Sequence, residues 1–145
     1  MKKNDTNLKI KKIANRIHKK IVAFQKMDKR WRKNLLGACA TASYLLHKAL
    51  KRQGVESWMV HSCHKKYGNH VWVETPDNLI DLTYSQFDES KGIIIINKND
   101  PKIKSYYKNF KNMLNLSLDS MTYFKWPASQ DPIKCHKRMK KYRNV

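Results

Sequence analysis

Three residues of this 145-residue chain are of the right types, in the right order, for thiol-based acyl transfer: Cys39, His70 and Asp81. Cys39 stands in Leu36-Gly37-Ala38-Cys39-Ala40-Thr41-Ala42-Ser43, at the start of an expected helix. His70 and Asp81 stand in Asn69-His70-Val71-Trp72-Val73-Glu74 and Leu79-Ile80-Asp81-Leu82-Thr83, two successive expected strands. A thiol nucleophile needs a base to take and return protons, and the base needs a group that fixes its tautomer. A helix N-terminus adds the positive end of the helix dipole and free backbone N–H groups, which favour a thiolate and can hold an oxyanion. A second oxyanion donor or a substrate contact should come from Asn34, Trp31, Gln25 or Trp72, which the sequence does not rank.

The hairpin between the two strands permits a geometric test. Thr75-Pro76-Asp77-Asn78 suits a type I turn with proline at its second position, and closure there pairs Glu74 with Leu79, Val73 with Ile80 and Trp72 with Asp81. Alternate side chains then put Val71, Val73, Ile80 and Leu82 on a buried face and His70, Trp72, Asp81 and Thr83 on the other. His70 and Asp81 become diagonal neighbours across the strands. A slip by one residue would separate them and also mismatch the apolar faces, so hydrophobic pattern and chemistry choose one register.

The elements that must position these groups follow from periodicity. Leu8, Ile10, Ile13, Ile17, Ile21 and Phe24 predict a helix over residues 6–27 with Asp5 or Thr6 as N-cap. Residues 28–37 read as a connector, Gly37 as a turn, and 38–53 as a second helix burying Ala42, Leu45, Leu46, Ala49 and Leu50 and stopped by Gly54. Short strands are expected at 56–62, 70–74, 79–83 and 93–96, and a helix at 103–114 through Ile103, Tyr106, Tyr107, Phe110 and Leu114. The tail from Trp126 carries too much charge to assign, and Cys135-His136 within it has no evident frame. The expected fold is α+β: the nucleophile's helix packed on a small antiparallel sheet, with basic helices added at both ends.

Composition bounds the rest. With 41% hydrophobic residues, 145 residues make one core and one domain. The net charge of +20 is unevenly placed: residues 1–37 hold 13 Lys and Arg against 2 acids, 38–96 hold 6 against 6, and 97–145 hold 12 against 3. A charge-balanced catalytic core (38–96) therefore lies between a basic helical arm (1–37) and a basic extension (97–145), which would attract an acidic protein, an anionic surface or nucleic acid without sequence preference. With 25 Lys against 6 Arg, bidentate base or phosphate readout is disfavoured, and a solvated, solubilising surface is the plainer alternative. Three cysteines, with no apolar run of signal-peptide length, suggest a soluble protein of the reducing cytoplasm without a transmembrane segment. His61, Cys63, His64 and His70 raise a metal alternative, but paired ligand spacing is missing, so no metal and no cofactor are expected.

Gly37-Ala38-Cys39 with Ser43 and Leu45-Leu46, then His70-Val71-Trp72-Val73-Glu74, then Ile80-Asp81-Leu82-Thr83 with Gln86-Phe87, resembles the core of the transglutaminase-like superfamily of papain-like fold. The chain is most similar there to small bacterial members such as lasso-peptide maturation proteases. The resemblance covers residues 35–87 and implies a nucleophile at Cys39, a base at His70 and an orienting acid at Asp81, acting on an amide or peptide bond in a peptide or protein substrate. The alternative expectation is a nucleic-acid or anionic-partner binding protein on the same frame, with a vestigial triad.

Overall fold

The computed structural model describes residues 2–31, 35, 38–116, 126 and 130–142. The described elements are α1 (Lys3–Met27), α2 (Cys39–Arg52), β1 (Trp58–His64), β2 (Gly68–Glu74), β3 (Asn78–Asp81), a short 3₁₀ turn (Tyr84–Gln86), β4 (Ile94–Asn97), α3 (Lys102–Tyr107), β5 (Phe110–Leu116) and α4 (Pro132–Met139). The strands form one antiparallel sheet in the order β4-β3-β2-β1-β5. The chain is thus α+β, with four helices and a five-stranded sheet among the described residues.

Helix α1 forms because Ile10, Ile13, Ala14, Ile17, Ile21 and Phe24 recur on one stripe, and all six are buried. It begins earlier than its sequence suggests: Lys2 is the N-cap and no side chain caps it, so neither Asp5 nor Thr6 has that role. Leu8, expected on the apolar stripe, is 54% exposed. At the far end Asp28 is buried and accepts hydrogen bonds from Arg30 and from Arg138 of α4, which ties the two helices together. The hydrogen bond from Arg30 holds the Asp28 carboxyl below its usual range, burial opposing it and the Arg30 and Arg138 charges adding to it.

The middle strands of the sheet, β2 and β3, are buried on both faces, whereas the edge strand β5 is exposed over residues 111–115. Met59, Val71, Val73, Ile80 and Leu82 join the core formed with α1, α2 and α4. Val60, Trp72, Leu79 and Ile96 point the other way, into a second core with Ile103, Tyr106 and Phe110. The face that the hairpin analysis left polar is therefore a second interior, and its polar groups must satisfy one another.

Residues 103–114 do not make one helix. α3 stops at Tyr107, and Phe110–Leu116 is a strand paired with β1. Phe110 and Leu114 stand four apart, which fits a helical stripe, but β1 offers an unpaired edge whose backbone groups decide for strand. The 97–145 extension thus supplies a strand of the sheet as well as the helices α3 and α4. The tail does have a frame: Asp131 caps α4 by accepting from Ile133 and Lys134 N–H, Pro132 takes the first turn, and Cys135 is fully buried in the main core.

Candidate active site

The hairpin closes in the expected register, with Val73 opposite Ile80 and Glu74 opposite Leu79. Thr75 N–H donates to the Asn78 carbonyl at 2.9 Å and Thr75 Oγ1 accepts from Asn78 N–H at 3.0 Å, so the turn is held from both sides. His70 and Asp81 consequently share a face, and His70 Nε2 lies 2.7 Å from Asp81 Oδ2, both residues 0% exposed.

Asp81 is a buried carboxylate with its acceptor positions filled. Oδ2 also accepts from the Tyr106 hydroxyl at 2.8 Å, and Oδ1 accepts from Thr83 N–H at 2.9 Å, with Thr83 Oγ1 at 3.4 Å. A buried charge is tolerable on such terms, and every donor holds Asp81 in one orientation. Burial, then the Asp81 charge and the hydrogen bond to it, raises the Tyr106 pKa well above the usual phenol value, so Tyr106 remains a donor.

Cys39 reaches the site from the opposite layer. It is the first residue of α2, which no side chain caps at its N-cap, Ala38. One turn on, Ser43 Oγ donates to the Val71 carbonyl at 3.0 Å, which pins the helix beside the residue that follows His70. Leu35 ahead of the helix is buried at φ 64°, and its carbonyl accepts from Ala38 N–H at 3.0 Å. A left-handed leucine costs about 1–2 kcal/mol, so the surrounding packing must impose this entry into the helix.

The electrostatics of His70 record its neighbours. Burial is the largest influence and opposes the imidazolium, but the charge and hydrogen bond of Asp81, and then the hydrogen bond and charge of Cys39, outweigh it and raise the pKa to about 10. Asp81 and Cys39 together thus favour the charged form of His70 against its burial. The Gln86 amide nitrogen, Nε2, lies 2.9 Å from His70 Nδ1 and donates to Thr83 Oγ1 at 3.1 Å. An amide N–H suits an unprotonated Nδ1, whereas a protonated Nδ1 would require the amide oxygen in its place. His61 and His64 are pushed down by burial first and by the His70 charge second.

Phe87 packs edge-on against the His70 ring at 4.6 Å, and Phe110 stacks on it at 5.8 Å. Cys39 itself is 7% exposed.

The donor candidates divide. Trp72 is fully buried, and its indole N–H is committed to Glu74 Oε2 at 2.8 Å, so it has no proton to offer an oxyanion. The Trp31 indole N–H is buried without a partner among the described residues, its ring packed edge-on against Phe24. Gln25 is half-buried near the end of α1. Asn34 and Gly37 lie outside the described residues. Tyr106 and Gln86 went unassigned in the sequence as functional residues, because nothing local marks a tyrosine 25 positions after Asp81 as its donor. Among the described residues no three His, Cys, Asp or Glu side chains are grouped to hold a metal ion.

Comparison of the chain with protein-family models, with curated proteins and with solved structures found no significant match.

Proposed function

We propose that the protein is a cysteine-dependent acyl-transfer enzyme, a protease, amidase or deamidase of transglutaminase-like type and papain-like fold, acting through a thioester on Cys39. The observation that carries this reading is a thiol at the first residue of α2 that acts on His70, whose Nε2 lies 2.7 Å from the buried Asp81 carboxyl.

In the first half-reaction the Cys39 thiolate attacks the carbonyl carbon of an amide as the carbonyl electron pair moves to oxygen. The N–H groups of the first turn of α2 receive that oxyanion, and the Trp31 indole is the candidate for the second donor. His70 gives its Nδ1 proton to the departing amine nitrogen as the C–N bond breaks, leaving a thioester. Neutral His70 then takes a proton from water, the hydroxide adds to the thioester carbon, and the C–S bond breaks to return the thiolate and release the carboxylic acid. An amine in place of water would give transamidation. Hydrolysis is the simpler outcome because water needs no second binding site.

A mixed-peptide pool incubated with the protein should leave an acyl adduct on Cys39, visible by intact-mass measurement, released by hydroxylamine and missing from Cys39→Ala. No adduct and no cleaved peptide, together with a Cys39 that alkylates no faster than Cys63, would overturn the reading. The second reading, a binding protein with a vestigial triad, draws on the complete burial of His70 and the net charge of +20. Its signature would be an inert Cys39 in a protein whose only activity is salt-sensitive binding.

A further inference from the structure

The basic residues of the N-terminal arm and the C-terminal tail meet on α2, away from Cys39. A bowl of about 300 Å³ opens between α1, α2 and α4, and Arg16, Lys20, Lys48, Arg52, Lys140 and His136 line it. Its floor is apolar, made by Ile17, Leu45, Ala49 and Met139. No carboxylate lines it, and the ion pairs among the described residues are all made elsewhere: Lys3 with Asp77, Arg30 and Arg138 with Asp28, Lys98 with Glu74, and His70 with Asp81. Lys48 and Arg52 follow Cys39 by 9 and 13 residues on one helix, which separates the bowl from the thiol by about 14–20 Å.

We propose that this bowl is a binding site for clustered phosphates, as carried by a polyphosphate, a nucleotide or a nucleic-acid backbone, with the uncharged part of the ligand lying on the apolar floor. Five fixed cations around one small concavity repel one another, and the arrangement is stabilised when multiple anionic charges enter together. Phosphates concentrate such charge within a few ångströms, about −1.5 to −2 on a terminal phosphate with its three acceptor oxygens and one charge on each linking phosphate. An extended acidic peptide spaces its carboxylates about 3.3 Å apart on alternating sides, which suits a long groove better than a bowl. Arg16 and Arg52 add planar forks that bind phosphate oxygens in pairs.

His136 reports the field inside. Its pKa is lowered by burial first and then by Lys48, Lys140, Arg52 and Lys20, cations contributed by all three helices. The Lys48 ammonium lies 5.2 Å from the centre of the Tyr44 ring, and the same ring packs edge-on against His136 at 5.9 Å, so Tyr44 orders one wall.

The experiment titrates the full chain with sodium tripolyphosphate by calorimetry at a fixed, near-physiological salt concentration, with ATP, a short single-stranded oligonucleotide and a poly-glutamate peptide as further arms. Lys48→Glu/Arg52→Glu should weaken tripolyphosphate binding by about tenfold or more, because two charge-assisted contacts are lost. Lys104→Glu/Lys108→Glu changes net charge equally on exposed residues of the α3 segment, beyond the other face of the sheet, and should leave binding within about twofold. Lys48→Ala/Arg52→Ala should show the same direction without reversed charge, and the His136 ring-proton titration should move to higher pH when tripolyphosphate is bound. The preferred arm names the source: tighter binding of ATP a free nucleotide, tighter binding of the oligonucleotide a nucleic acid. Equal weakening in the two Glu variants would reduce the effect to net charge and overturn the proposal, as would poly-glutamate binding more tightly than every phosphate arm. Cys39→Ala should bind tripolyphosphate unchanged, so failure of this site and failure of the thiol chemistry are separately visible.

Discussion

A thiol in a buried triad competes with two disadvantages, poor access and the cost of charge in an apolar site, and its reactivity shows whether the neighbouring groups overcome them. Cys63 is more exposed than Cys39, and Cys135 is fully buried. Access alone would therefore rank Cys63 first for alkylation. An activated Cys39 should instead label fastest with iodoacetamide near neutral pH, as read by peptide mapping after brief exposure. The rate of amide cleavage measured against pH should fall in the alkaline range, as His70 loses near its raised pKa of about 10 the proton it gives to the leaving amine. Asp81→Asn removes the charge that offsets burial, so the alkaline limb should move to lower pH and labelling at neutral pH should slow. Folding stability carries the same signature: His70 is raised from 6.5 to about 10, so its contribution is complete below pH 6.5 and is lost as pH rises through about 10. Urea midpoints that decline over this window, and decline less in His70→Asn, would verify the sign. Tyr106→Phe keeps the ring but deprives Asp81 Oδ2 of a donor, and should cost about 1.5–3 kcal/mol, the range for a hydrogen bond to a charged group.

At the scale of elements, the site depends on the docking of α2 against β2. The contact nearest the thiol is Ser43 Oγ on the Val71 carbonyl, one helical turn from Cys39 and adjacent in sequence to His70. Ser43→Ala should destabilise the fold by about 1–3 kcal/mol, because a buried carbonyl loses a donor. It should also slow Cys39 alkylation more than Cys63 alkylation, since a helix free to shift no longer presents its first residue to His70. Retained selectivity for Cys39 would mean that the apolar contacts of Ala42 and Leu46 set the helix position without the hydroxyl. The hairpin was legible in advance because its two faces differ in polarity and its turn residues are distinctive. β5 was not, because Phe110 and Leu114 satisfy both periods and only an available edge on β1 distinguishes them.

Over the whole molecule, charge is concentrated rather than balanced. The described residues contain no helix long and apolar enough to cross a membrane, and among their Lys and Arg the ion pairs engage Lys3, Arg30, Lys98 and Arg138 alone. Self-repulsion should then make the fold sensitive to ionic strength, with the melting temperature rising as salt screens it. Reversing Lys9, Lys12, Lys19, Lys20 and Lys26 to Glu removes two charges at each position, taking the net charge from +20 to +10. That variant should show a flatter dependence of melting temperature on salt. Its affinity for an anionic substrate or partner should weaken and lose salt dependence while turnover changes little, because such charges act on encounter rather than on the chemical step. An unchanged salt profile would assign these lysines to solvation alone.

The amino-acid sequence by itself determined what local order can carry: the stripe that makes α1, the helix that begins at Cys39, and the hairpin register that brings His70 to Asp81. Each depends on residues within a few turns or across one tight loop, where side-chain period and turn chemistry have a single consistent solution. Only the tertiary structure decided that the polar face of the hairpin is an interior, that Tyr106 and Gln86 complete the surroundings of His70 and Asp81, and that Cys135 belongs to the core. It alone brought Arg16, Lys48 and Lys140, far apart in the chain, to one bowl. Such placements follow from which sheet edges and helix faces remain open once the local elements exist. That is a property of the assembled layers, and the spacing of residues along the chain does not encode it in any local pattern.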